Sequence, residues 1–188
     1  MDAKGYLSPL HYCPNKCFTT PNLPDYTRAL IDDVRKYEPD IEIILVDCNS
    51  KPPYPPGKDY KLVNVQQPYN IGKMTNAGIK AASGDWLVIS NDDVTCWDAF
   101  SHRVRGLDKS TLWGKEIAEK RIKRERYPTV YGWLVIMHRT LYDELGAFDE
   151  TNPITGLDVD YSLRALKAGH PVGTVNVPFR HLHHHRRW

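Results

Sequence analysis

No apolar stretch of this chain approaches the roughly 18–20 residues that span a bilayer, so no membrane-crossing segment is expected. The amino-terminal MDAKGYLSPLHY lacks the continuous apolar core of a secretory signal, and the expected location is the cytoplasm. Cysteine is scarce, with four residues at 13, 17, 48 and 96. Cys13 and Cys17, with His11 nearby, could form a disulfide or a partial metal site, but no second Cys/His cluster with zinc-ribbon spacing completes the set. Cys48 and Cys96 read as small packing residues. A net charge of only +2 excludes whole-molecule attraction to nucleic acid. At 188 residues the chain can build one sizeable core but is short for two domains.

The most informative stretch is DWLVISNDDV, residues 85–94. Trp86 to Ser90 read as a buried strand that runs directly into Asn91, Asp92 and Asp93. Carboxylates at a central strand end are costly unless water, a cation or a ligand receives them. Open α/β sheets bind ligands at that end, and a hard cation such as Mg²⁺ or Mn²⁺ carrying phosphates suits the chemistry. The bland alternative is a polar turn with Asp as a helix N-cap.

Strand and helix alternate along the chain. Lys16–Thr20 is a short candidate strand, Pro24–Tyr37 a helix with Leu30, Ile31 and Val34 on one face, and Ile41–Val46 a buried strand ending in Asp47. Tyr60–Val65 is a third strand, and Asn70–Ala82 a helix with Gly84 as its C-cap. Beyond Val94 the residues 103–126 carry nine Lys or Arg against four acids. This segment reads as a basic helix, either a solvated face or an anion-attracting flap over phosphates or against an anionic membrane surface. Tyr131–His138 returns to strand, Arg139–Gly146 is a short helix, Gly156–Ala168 a helix ended by Gly169, and Val172–Val177 a last strand. The expected class is α/β, a mostly parallel central sheet with helices on both faces.

Asp47 and Asn91–Asp93 end two strands that in a parallel sheet finish on one edge. Asp158 and Asp160 open a late helix, and His181, His183, His184 and His185 follow the last strand. Acids and histidines on one edge are what a divalent metal and a general base need.

In this order the pieces resemble a nucleotide-sugar-dependent glycosyltransferase of the GT-A fold, family 2 type. They are Asp47-Cys48-Asn49-Ser50, Asn70-Ile71-Gly72 with Asn76-Ala77-Gly78, Ser83-Gly84-Asp85 leading to Asn91-Asp92-Asp93-Val94 at the DxD position, Gly146-Ala147-Phe148-Asp149-Glu150, and the Asp158–Ala165 helix with Gly169. The resemblance implies a single GT-A domain over 1–188, with a nucleotide-sugar-binding half at about 16–95 and an acceptor-side half at about 96–188. The shortness suggests a minimal member, of the compact kind that archaeal viruses encode.

Residue by residue, the resemblance implies that Asp47 binds the nucleobase with backbone around Thr20 and Pro21, and that Asn70 and Asn76 lie near the nucleotide. Asn91 and Asp92 would contact ribose and phosphate, Asp93 would hold Mn²⁺ or Mg²⁺, and His183 or His184 would complete the metal shell. Asp158 would be the general base of an inverting displacement. The donor would be UDP- or GDP-linked and the acceptor a glycan, a protein-linked sugar or a lipid. Peripheral contact with the inner membrane face fits the basic segment, and no specific nucleic acid is expected.

Departures from the family pattern are Leu157 where Glu is usual, Asn91 in place of the first Asp, and a short, polar first strand. They leave Asp160 or Asp149 as alternatives to Asp158. Trp133 and Tyr131 could stack on an acceptor sugar or belong to the core. A sugar-1-phosphate nucleotidyltransferase would need a Gly-rich basic loop where this chain reads FTTPNLPDY. The rival of another class is a non-catalytic binding protein on a degenerate transferase scaffold, acting through the basic segment.

Overall fold

Strands whose consecutive residues are all apolar must be covered on both faces, and the chain supplies helices for each. The computed structural model describes residues 6–9, 23–66, 68–152 and 156–182. Its elements are β1 (Tyr6–Pro9), α1 (Leu23–Tyr37), β2 (Glu42–Asp47), β3 (Lys61–Asn64), α2 (Ile71–Ala81), β4 (Trp86–Ser90), β5 (Val94–Cys96) and α3 (Ser101–Arg105). They continue with β6 (Leu112–Gly114), β7 (Ile117–Ile122), β8 (Glu125–Val130), β9 (Leu134–His138), α4 (Arg139–Leu145), α5 (Leu157–Lys167), β10 (Val172–Thr174) and β11 (Phe179–His181).

Seven strands form one sheet in the order β10-β6-β9-β4-β1-β2-β3. Strand β9 is antiparallel to β4 and β6, and the other pairs are parallel. Alternation divides the core in two. Ile43, Leu45, Trp86, Val88, Leu134 and Ile136 pack on one side with Leu30, Ile31 and Val34 of α1. Ile44, Val46, Leu87, Ile89, Val135 and Met137 face the other, under Met74 and Ile79 of α2 and Tyr161 and Ala165 of α5. The α1 stripe falls at helical spacing, and full burial of each such side chain is worth about 1.5–3 kcal/mol. Among the described residues no helix is long and apolar enough to cross a membrane.

Several expectations change. The basic segment is not a helix. After the five-residue α3 it forms β6 and then a hairpin of β7 and β8, joined through a two-residue turn at Lys123-Arg124. Its only isoleucines in the first strand, Ile117 and Ile122, are five apart and share no helical face. Pro128 cannot sit inside a helix, and Tyr127, Thr129 and Val130 favour strand. The strand beside β2 and β4 is Tyr6–Pro9, whereas Lys16–Thr20 lies outside the described residues, as do Cys13 and Cys17. Helix α2 is capped at Ala82 rather than Gly84, and β9 begins at Leu134 because residues 131–133 make the turn that leads into it. The last expected strand, Val172–Val177, stops at Thr174 as β10, and a further strand, β11, follows it and pairs antiparallel with β5.

Helix α3 is preceded by Phe100, which has no side chain able to cap it. The cap comes from α1's far end. The Glu38 carboxylate, buried to 9% exposure, accepts the N–H groups of Phe100 and Ser101, both at 2.6 Å. Hydrogen bonds to a charged group contribute about 1.5–3 kcal/mol, so Glu38→Ala should lower stability by about 2–3 kcal/mol. Glu38→Gln, which keeps an acceptor oxygen, should lose less than half of that. Urea unfolding checks both, and an unchanged Glu38→Ala midpoint would refute the cap.

Candidate active site

Because β2, β1 and β4 are parallel neighbours, Asp47 and Asn91–Asp93 emerge on one edge, about 10 Å apart across the intervening strand. Asp47 is 2% exposed and closes the turn that follows it. Its carboxylate accepts the Ser50 N–H at 3.1 Å and the Ser50 hydroxyl, with Asn49 left-handed at φ 59 between them. The D-x-x-S pattern is therefore a side-chain-capped turn. Asp92, also 2% exposed, accepts from the Thr27 hydroxyl of α1 at 3.4 Å, and Thr27 is held in turn by the Tyr54 hydroxyl at 3.0 Å.

Strand β9 brings a second set of groups to this edge. Its antiparallel register sets Leu134 opposite Ser90, so the residues just before Leu134 meet those just after Ser90. The Asn91 N–H donates to the Trp133 carbonyl at 3.0 Å. Gly132 donates its N–H to Asp158 Oδ2 at 3.0 Å, and a Cβ there would come within 3.3 Å of the same carboxylate. Asp158 Oδ1 accepts from Val159 N–H at 2.9 Å. A carboxylate oxygen has a further lone pair beyond each of these bonds.

Asp160 lies about 200° further round α5 and is taken up by Arg164 at 2.9 Å, which also donates to the Leu145 carbonyl at 2.8 Å. It pins α5 to the end of α4. Asp149 is engaged by the Thr151 N–H and hydroxyl, all at 2.8 Å, and these bonds hold its carboxyl below the usual range.

The late histidine beside the acidic edge is His181. Pairing of β11 with β5 sets His181 opposite Val94, and its Nε2 lies 3.0 Å from Asp93 Oδ1. The imidazole stacks on Trp133 with centroids 5.3 Å apart and planes 9° apart. Trp133 is itself 7% exposed, whereas Tyr131 at 44% is the open aromatic of this turn. His183 and His184 lie outside the described residues, as do Thr20 and Pro21. Sequence reasoning noted His181 within its cluster but chose its neighbours, and only the β5–β11 register distinguishes them.

The donor set fits a divalent cation. Asp93 supplies a hard carboxylate oxygen and His181 an imidazole nitrogen, and the two lie 3.0 Å apart. Among the described residues no three His, Cys, Asp or Glu side chains gather around one point. Such a site supplies few protein ligands and leaves positions for phosphate oxygens and water. Cys48 and Cys96 are buried and form no disulfide with any described residue, and burial pushes the Cys96 thiol up to about 12, as expected of packing residues.

Asn70 and Asn76 make contacts that their sequence positions do not reveal. Asn70 caps α2 by accepting from Lys73 N–H at 2.8 Å and donates to the Glu150 carbonyl at 2.7 Å. Asn76 donates to the Phe148 carbonyl at 2.9 Å and to Glu150 Oε1 at 2.8 Å, and accepts the Phe148 N–H at 2.9 Å. Between them the Asp149 carbonyl lies so close to Gly72 that a Cβ would fall 2.2 Å from it. The two Asn motifs and the GAFDE motif thus form one tertiary unit.

The family model for glycosyl transferase family 2 matches residues 17–112, just over half of the chain. No curated protein matches it in sequence. The structure is similar to that of the mannosyltransferase PcManGT from Pyrobaculum calidifontis, solved in complex with GDP-Man and Mn²⁺, with a TM-score of 0.62 and 13% identity over 92% of this chain and 55% of that one. It is also similar to S. aureus TarS, with a TM-score of 0.62 and 14% identity over 93% of this chain and 36% of that one. The chain spans about half and about a third of the lengths of these two proteins. The likeness establishes the GT-A fold.

Asn76→Ala should lower stability by about 1–3 kcal/mol and release residues 148–150. Hydrogen exchange at the Phe148 amide should accelerate while the Val135 amide, in the sheet, stays protected. Unchanged Phe148 exchange would show that another contact holds the loop.

Proposed function

We propose that this chain, which belongs to glycosyl transferase family 2, moves a sugar from a UDP- or GDP-linked donor to an acceptor hydroxyl by one inverting displacement. The observation that carries the reading is the convergence on one sheet edge of the Asp93–His181 pair and of Asp158, held by Gly132. The GDP-Man and Mn²⁺ of PcManGT support the donor class and the cofactor.

Asp93 and His181 would hold the Mn²⁺ or Mg²⁺ ion. When bound, the ion offsets the negative charge that grows on the departing diphosphate. Asp47 and its turn would receive the nucleobase, with backbone near Thr20 and Pro21, and Asn91 and Asp92 would position ribose and phosphate. Asn70 and Asn76 would act near the nucleotide through the 148–150 loop that they fix. The acceptor oxygen attacks the anomeric carbon as its bond to the diphosphate breaks, and the hydroxyl proton passes to Asp158. Only a carboxylate within hydrogen-bond reach of that hydroxyl can serve. Asp158 is favoured over Asp160 and Asp149 because it is bonded to Gly132 in the turn beside Asn91, whereas those two are turned to Arg164 and Thr151. Trp133 would support the acceptor side as the platform beneath His181, with Tyr131 open to an acceptor sugar. The acceptor is a glycan, a protein-linked sugar or a lipid. The protein works as one domain in the cytoplasm, with its donor half at about 16–95 and acceptor half at about 96–188.

Asp158→Asn should lower transfer by about 10²–10⁴-fold while donor binding stays intact, as read by product formation and calorimetric titration. Near wild-type turnover would overturn the base assignment. Asp93→Ala should abolish the part of GDP or UDP binding that requires Mn²⁺, and His181→Ala should weaken Mn²⁺ binding about 10–100-fold. A wild-type protein that binds neither nucleotide, with or without Mn²⁺, would favour the non-catalytic scaffold instead.

A further inference from the structure

The hairpin of β7 and β8 forms its own two-stranded ribbon, separate from the main sheet, and takes no part in the chemistry above. Register sets Arg121 directly opposite Arg126, and like charges facing each other across a ladder weaken it. Arg126 meets Glu119 at 3.0 Å, but both side chains are more than half exposed, where such a pair contributes little. Lys120, Arg121, Lys123 and Arg124 are exposed and form no ion pair with any described residue.

Lys123 occupies the first turn position at φ 57, a left-handed conformation that glycine or asparagine adopts at lower cost. The ribbon carries a formal charge of +3, more than the +2 of the whole chain. None of these choices helps the ribbon to fold. Each keeps a cation at an exposed place.

The root of the ribbon adjoins the acceptor side of the candidate site. Tyr131 N–H donates to the Glu116 carbonyl at 3.1 Å, and the next residue, Gly132, holds Asp158. Ile117 and Tyr131, 41% and 44% exposed, are open apolar groups at that root.

We propose that this ribbon docks the protein on an anionic bilayer, with its Lys and Arg side chains among the lipid headgroups and Ile117 at the interface. The register places Arg121 and Arg126 on one face and Lys120 on the other, so the cations do not converge on a single phosphate. Single-stranded nucleic acid would call for aromatic platforms between the cations. The ribbon has Tyr127 alone, and its hydroxyl is bonded to Glu125. A planar field of anionic headgroups needs no fixed register, and each Lys or Arg near it adds to the attraction. Docking would also carry a lipid-borne acceptor towards Asp158. That consequence rests on the proposed function, whereas the docking does not.

Flotation of the full chain with vesicles tests the docking without any donor. The protein should float with vesicles of equal parts phosphatidylcholine and phosphatidylglycerol, should not float with phosphatidylcholine alone, and should lose binding as salt rises. Lys123→Glu with Arg124→Glu should weaken binding more than about tenfold. Lys80→Glu with Lys167→Glu, the same charge change on exposed positions of α2 and α5, should stay within about twofold of wild type. Equal flotation with both vesicle types would overturn the proposal, and so would equal loss in both variants. Hairpin-dependent binding of a single-stranded oligonucleotide without vesicle binding would also overturn it.

Discussion

Strand β9 runs against both neighbours in a sheet whose other pairs are parallel, and the candidate site depends on that reversal. In a parallel sheet only strand ends reach the ligand edge. The reversal adds the beginning of a strand to the same edge, so Gly132 and Trp133 lie beside Asn91. Asp158 then needs only to reach the Gly132 N–H to stand on the same edge as Asp93, and His181 finds Trp133 to stack upon. Had the five residues of β9 run the other way, this turn would sit about 16 Å off, at the opposite edge.

The rest of the edge is made rigid by satisfying buried acids locally. Asp47 and Asp92 are almost fully buried, and a buried carboxylate is costly unless hydrogen-bonded. Asp47 is met by its own turn and Asp92 by Thr27 of α1, so each acid fixes a backbone segment as well as carrying charge. The contacts of α2 do the same across the domain. Asn70, Gly72 and Asn76 fasten the 148–150 loop to a helix that packs beneath β2. Segments far apart in the sequence are thereby held in one geometry.

Much of this was legible in the sequence because burial on two faces leaves a strong signal. IEIILV and WLVIS admit little except central strands, and the α1 stripe falls at helical spacing. The motifs gave the family, and the family match over 17–112 bears that out. The misread segment was the exposed one. A run of Lys and Arg has the same hydropathy in a solvated helix as in a solvated ribbon, so period carries no information. Pro128 and the β-branched residues after it were the available clue. His181 was hidden for another reason. Its place beside Asp93 follows from a three-residue pairing between segments more than eighty positions apart, and such short strands have no periodicity to read. The Asn motifs were likewise visible as motifs, while their partners lie 72–80 residues away.

Charge is sorted in this fold in a way that its small net value conceals. The ribbon holds +3 and the remainder of the chain sums to −1, with Asp47, Asp92, Asp93 and Asp158 drawn to one edge. An edge of carboxylates repels a diphosphate unless a cation stands between them. A cation held by Asp93 and His181, as proposed above, would stand there. Without a cation, an imidazole N–H can donate to the carboxylate and leave neither group unsatisfied. With one, the same carboxylate oxygen and imidazole nitrogen would serve as its ligands. Trp133, stacked on the imidazole, holds the plane of the ring. The pairing of β5 with β11 therefore keeps an acid and an imidazole side by side at the strand-end edge.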